Sequence, residues 1–158
     1  MRQPPAFSLD KQAIKVWQIH GGITFGLLLV FHLIFSYIVV RFEWSYVFIV
    51  ITSVLIVLIF IIQTWLIPKI RYRRFRYEIS DEEIYIQRGI IIVTRTLVPM
   101  TRIQHVDTTQ GPVLKRYKLM TVTISTAATT HEIPALSEGE ADGLRNEIAV
   151  LARVTDDE

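Results

Sequence analysis

Not one cysteine occurs in the 158 residues. That absence excludes disulfides, iron–sulfur clusters, thiolate zinc sites and cysteine nucleophiles, and it suits a domain facing a reducing compartment. Also missing are the phosphate-binding P-loop, G-x-S-x-G, H-E-x-x-H, the EF-hand loop and the dinucleotide glycine pattern, so catalysis has no motif to rest on and no cofactor is expected. The third absence says most. No Asp, Glu, Lys or Arg interrupts Gly21 to Val40 or Tyr46 to Ile67, two apolar runs of 20 and 22 residues. At about 1.5 Å of rise per residue, each matches the ~30 Å hydrocarbon core of a bilayer. A backbone in lipid has no water to bond to, so both runs are expected to be helices of a transmembrane hairpin, closed by Arg41 to Ser45. Cleavage after the first run is not expected: a signal peptide's apolar region has about 7 to 15 residues and precedes small side chains, whereas Arg41, Phe42, Glu43 and Trp44 follow here.

Acidic residues are scarce around the spans. Arg2, Lys11 and Lys15 stand against Asp10 before the first, Arg41 and Glu43 cancel in the connecting loop, and Lys69, Arg71, Arg73, Arg74 and Arg76 follow the second without an acid among them. Short basic flanks stay on the cytoplasmic side, so both termini of a multi-pass membrane protein are expected there. Trp44, Tyr46 and Trp65 sit at span ends, where amphipathic rings prefer the headgroup level. Residues 1–76 hold nine basic and two acidic side chains, a net +7, while residues 77–158 hold eight and thirteen, a net −5. The positive charge is juxtamembrane and the domain behind it is acidic, which argues against nucleic acid as a partner. The expected organisation is a cytoplasmic segment 1–20, the hairpin 21–67 with spans 21–40 and 46–67, a basic linker 68–76, and a domain over 77–158.

The domain reads as short strands and then one helix. Phe75, Tyr77 and Ile79 alternate with polar residues, the turn Ser80 to Glu83 follows, and Ile84 and Ile86 alternate again, a hairpin signal. Gly89 punctuates the chain before Ile90 to Val98, whose β-branched run predicts a well-buried strand ended by Pro99. Further strands are expected over Arg102 to Asp107, around Val122 and Ile124, and around His131 to Ile133, with Thr108 to Pro112 as a loop. Ser137 and Glu140 form an S-x-x-E capping box, and Ala141, Leu144, Ile148 and Leu151 recur at helical spacing. The predicted fold is an α+β membrane protein: a two-helix transmembrane hairpin, then a small antiparallel β-barrel or sandwich closed by a C-terminal helix.

The stretches Val98-Pro99-Met100-Thr101-Arg102-Ile103-Gln104-His105-Val106-Asp107, Gln110-Gly111-Pro112-Val113-Leu114-Lys115-Arg116-Tyr117 and Val122-Thr123-Ile124-Ser125-Thr126-Ala127-Ala128 resemble the bacterial pleckstrin-homology-like (PH-like) domain that sits behind transmembrane helices. The resemblance implies a seven-stranded PH-like fold closed by a C-terminal helix and a non-enzymatic membrane protein. It also implies a larger multi-domain PH-like membrane protein as partner, and a role in envelope stress or antimicrobial-peptide tolerance. Eukaryotic PH domains that bind phosphoinositides usually carry basic residues after the first strand, where this chain has Ser80, Asp81, Glu82 and Glu83; inositide binding is therefore not expected.

Candidate sites follow from the residue types. The five cations Lys69, Arg71, Arg73, Arg74 and Arg76 could hold anionic headgroups, though fixing topology also accounts for them. Gly22 and Gly26 form a G-x-x-x-G for close helix packing, within the hairpin or in a homo-oligomer. His32, mid-span, is an ionisable group in lipid, which Ser36, Thr52 or Ser53 would satisfy as a neutral ring. His105 and Asp107 share a strand face, yet their spacing and that of His131 match no metal-ligand pattern, and no metal is expected. The motif residues Pro99, Arg102, Gln104, Val106, Asp107, Gln110, Gly111 and Arg116 read as structural, tying the Thr108 to Pro112 loop to its neighbours. A membrane-anchored binding module that scaffolds a partner protein is the function these features favour; an anionic-lipid sensor and a transporter accessory using His32 are the alternatives.

Overall fold

The computed structural model describes residues 5–156, with side chains for 5–152; Arg2, counted above among the basic flanks, lies outside them. The chain divides into two compact units, Trp17–Lys69 and a second formed by residues 5–16 together with 70–156.

In the first unit the uninterrupted apolar runs are helical. Helix α1 spans Ala13–Arg41, and the second run comprises α2 (Val47–Ile61), a π-helical turn (Ile62–Leu66) and α3 (Ile67–Arg74). These stretches of 29 and 28 residues are long and apolar enough to cross a membrane. Glu43 takes φ 54° in the connecting turn. The helices meet through Phe25 and Phe60, whose ring centroids lie 4.4 Å apart, and at Gly21, where a β-carbon would stand 3.0 Å from Thr64 Oγ1 and 3.4 Å from the Gln63 carbonyl. The π turn and the missing side chain occur at the same level, so the close approach falls one residue before the expected Gly22. Both Gly22 and Gly26 look onto open space. Close packing of those two glycines inside the hairpin is therefore not what the helices use.

In the second unit, strands β1 (Arg76–Ile79), β2 (Glu83–Arg88) and β3 (Thr94–Pro99) form one antiparallel sheet, and β4 (Ile103–Thr109), β5 (Leu119–Thr126) and β6 (Thr130–Ser137) a second. The six strands do not close into a barrel, and the seventh that the resemblance implied is absent among the described residues. The turn from one sheet to the other explains the break. Pro99 ends β3, lacks an N–H for a further ladder bond, and leads into the 3₁₀ turn Met100–Arg102, whose Met100 is buried. The predicted buried strand over Ile90 to Val98 is also corrected: β3 starts only at Thr94, and residues 89–93 form a loop in which Ile91, Ile92 and Val93 are exposed. Four consecutive aliphatic residues carry no period, so the pattern could not distinguish a core strand from a surface loop.

Ile84, Ile86, Val98, Leu119, Val122, Ile124, Ile133 and Leu136 build the core, covered by Ala141 and Ile148 of α5 (Glu138–Asp156). The capping box starts that helix: Glu140 N–H donates to Ser137 Oγ (3.4 Å), and Ser137 N–H and Oγ–H reach back to Glu140 Oε2 (3.2 and 2.8 Å). Of the predicted loop Thr108 to Pro112, the first two residues belong to β4, and Pro112 starts a short helix α4 (Pro112–Arg116). Residues 5–16 add a further piece of core. Leu9, Ala13 and Val16 are buried, Phe7 exchanges backbone bonds with Tyr77 at 3.0 Å each way, and Asp10 N–H donates to the Ala135 carbonyl at 3.3 Å.

Candidate functional site

Where β3 turns through Met100–Arg102 into β4, the domain holds a cleft of about 830 Å³. One wall is Leu97 to Pro99 with Thr101 to Gln104; the other is the β5–β6 connection, Thr126 to Thr129, with His131. That connection is rigid. Thr126 N–H and Oγ–H donate to the Thr129 carbonyl (2.9 and 2.7 Å), and Thr129 N–H returns to Thr126 Oγ1 at 3.1 Å, leaving Ala127 and Ala128 exposed at the mouth. Strands β3 and β4 are each paired on one side only, so each carries a row of backbone donors and acceptors free to accept another strand. Arg102 supplies a positive charge to the rim. His131 is buried, and burial, followed by the nearby Arg88 charge, lowers its pKa from the usual 6.5. Arg102 offers a cation to an acceptor or carboxylate, and the unpaired edges of β3 and β4 offer backbone donors and acceptors.

The cleft gathers only part of the sequence motif. Pro99, Arg102 and Gln104 line it, whereas Val106 sits opposite Ile124 in the sheet. Asp107 pairs instead with His105 on the solvent face, Nε2 to Oδ2 3.4 Å. His131 does not join them: it lies across from Ile124, one row away from His105 and Ser125, and so on the opposite face. Among the described residues no three His, Asp or Glu side chains are grouped as a metal site would need. Gln110 performs the tying role expected of the motif, its Nε2 donating to the Leu119 carbonyl (3.0 Å) and to Glu138 Oε1 (2.7 Å). Gly111 precedes α4, and Arg116 lines a small pocket with Asp10 and Ser137. Sequence reasoning missed the second cleft wall as a functional element, although the Thr126–Thr129 spacing between two alternating strands was a usable sign of a bonded turn.

The cations after the second span have separate surroundings. Lys69 Nζ lies 5.5 Å from the Trp65 ring centre. Arg71 lines a cleft with Arg88 and Glu132, whose carboxylate attracts it. Arg73 is exposed, Arg74 donates from Nη1 to the Ile91 carbonyl at 3.2 Å, and Arg76 opens β1 opposite Gln87. In the hairpin, His32 contacts Thr52 Oγ1 through Nδ1 (3.2 Å) and Ser53 Oγ through Nε2 (3.0 Å). A neutral imidazole satisfies both by donating from one nitrogen and accepting on the other.

Residues 18–152 match the family described as Bacterial PH domain. The chain is 45% identical to the UPF0699 transmembrane protein YdbS of Bacillus subtilis (strain 168), over all of this chain and 99% of that one. It is also 31% identical to the UPF0699 transmembrane protein YdbT of the same organism, over 53% of this chain and 18% of that longer one. No solved structure matches it significantly.

Proposed function

The chain belongs to the bacterial PH domain family and is a relative of UPF0699 transmembrane proteins, and from that premise we propose that it is a membrane-anchored binding module whose domain docks a partner membrane protein. The observation that carries this reading is the 830 Å³ cleft bounded by two strand edges and Arg102. A strand from a partner could extend either edge by main-chain bonding, with side chains filling the apolar floor at Val98 and Ile103. Neither matched family is one of enzymes, in keeping with a site built for contact. The two apolar helices serve as anchor, and the basic flanks support placing both termini in the cytoplasm. The partial match to YdbT supports a partner of the same general kind, a longer membrane protein containing a similar stretch. An envelope-stress or peptide-tolerance role follows the family resemblance.

The test is a photo-crosslinking side chain at Ala128, at the cleft mouth, in cells with native membranes. The expected product is an adduct with a larger membrane protein. Arg102→Glu should reduce its yield about tenfold if the contact is worth about 1.4 kcal/mol. Crosslinks to lipid alone would favour the lipid-sensor alternative, and no adduct would remove the docking reading.

A further inference from the structure

The loop between β2 and β3 exposes aliphatic side chains to an unusual degree: Ile91 is 89% and Ile92 80% exposed, and Val93 follows at 41%. Consecutive apolar residues at a loop tip gain nothing from water, and such patches mark interaction sites. The loop has a fixed shape. Gly89 adopts φ 139°, where a β-carbon would lie 1.9 Å from the Ile92 carbonyl oxygen, so only glycine permits the tight return that projects the tip. Its base is held by bonds: Arg74 Nη1 donates to the Ile91 carbonyl (3.2 Å), Gln87 Nε2 to the Arg74 carbonyl (3.3 Å), and Arg95 Nε to Gln87 Oε1 (3.0 Å). Arg88 adds a further cation at the end of β2.

Arg74 is the last residue of α3, seven residues beyond Ile67, where the second apolar run ends, and seven residues of helix rise about 10 Å. The opposite end of the same sheet is different. Strand β2, six residues and about 20 Å long, runs from Glu83 to Arg88 and so holds the loop apart from Asp81, Glu82 and Glu83 at its other end. Aliphatic groups and arginines thus collect at the sheet end bonded to the segment that leaves the apolar run, where Glu132 faces Arg71 and Arg88 in the adjoining cleft, and the acidic turn lies at the far end. Aliphatic side chains ringed by guanidinium groups complement an anionic bilayer surface: the former enter the boundary between headgroups and acyl chains, the latter bind phosphate oxygens.

We propose that residues 90–93 insert into the anionic leaflet, held there by Arg74, Arg88 and Arg95. This site rests on the hairpin spanning the membrane and calls for no particular headgroup, so it is compatible with a domain that does not select phosphoinositides. An apolar groove on a protein is the competing occupant, and the arginine ring favours lipid over it.

The natural absence of cysteine makes the test direct. Three full-length variants, Ile92→Cys, Leu58→Cys in the middle of the second run and Glu82→Cys at the acidic turn, are labelled with an environment-sensitive fluorophore and placed in nanodiscs containing phosphatidylglycerol. The Ile92 label should emit to the blue of the Glu82 label, lose intensity to a quencher carried on the upper acyl chain, and resist aqueous iodide. Lipid quenching at Leu58 with iodide quenching at Ile92 would overturn the loop site while leaving the membrane anchor intact. An Ile92 label shielded from both quenchers would mean a protein contact and overturn it too. Absence of lipid quenching at Leu58 would remove the anchor and the loop site together.

Discussion

His131 sets an acid limit on the domain. Burial, and then the Arg88 charge, lower its pKa below the ordinary 6.5, so the folded protein holds it neutral while an unfolded chain would take up a proton near that value. Stability is therefore complete above about pH 6.5 and falls as pH drops below it, because only the unfolded state binds the proton, until the folded value is passed. Thermal unfolding midpoints in detergent, followed by circular dichroism, should decline between pH 7 and pH 5; His131→Gln should flatten that decline. An unchanged slope in the variant would assign the acid sensitivity to other groups. At this scale the sequence was uneven in what it revealed. The Ser137–Glu140 capping box was legible because both partners lie within one turn, and Gln110 was singled out although its partners, Leu119 and Glu138, were not. The Arg88 charge that acts on His131 comes from the other sheet, and no spacing along the chain announces it.

Among the elements, the helices were the easiest to foresee, because lipid-length apolar runs without a charge admit few other structures. Strand β3 was the hardest: its expected first residues, Ile90 to Val93, belong to the loop between β2 and β3, and β-branching alone does not reveal which side of a fold a residue meets. The cleft was out of reach for a related reason. Its walls, Leu97 to Gln104 and Thr126 to His131, are separate in the chain and come together through the antiparallel pairing of β4 with β5, which sets Ile103 opposite Thr126. Residues 5–16 were set apart as a flank, yet Leu9, Ala13 and Val16 are buried at near-helical spacing, a sign that could have been read. Leu9→Ala removes a side chain that is only 3% exposed and should cost about 2 to 5 kcal/mol. A lower unfolding midpoint of the domain in chemical denaturant checks this, and a loss under 1 kcal/mol would make the N-terminal segment a passive tether.

For the whole molecule, the topology proposed above, with the domain and both termini on the cytoplasmic side, rests on the basic flanks of the two apolar runs. Glu43→Cys and Glu82→Cys, exposed to a membrane-impermeant maleimide on intact cells, should label at 43 and not at 82; the reverse pattern would invert the protein. The backbone pairing of Phe7 with Tyr77 has a consequence for how the molecule is made. Phe7 leaves the ribosome before either apolar run, and its partner is synthesised seventy residues later, after both runs have been translated. Throughout that interval the first segment must wait with its hydrogen bonds turned to water. The domain is thus assembled across the two apolar runs, from a segment translated before them and strands translated after them, and a nascent chain arrested before residue 77 lacks the strand that Phe7 pairs with.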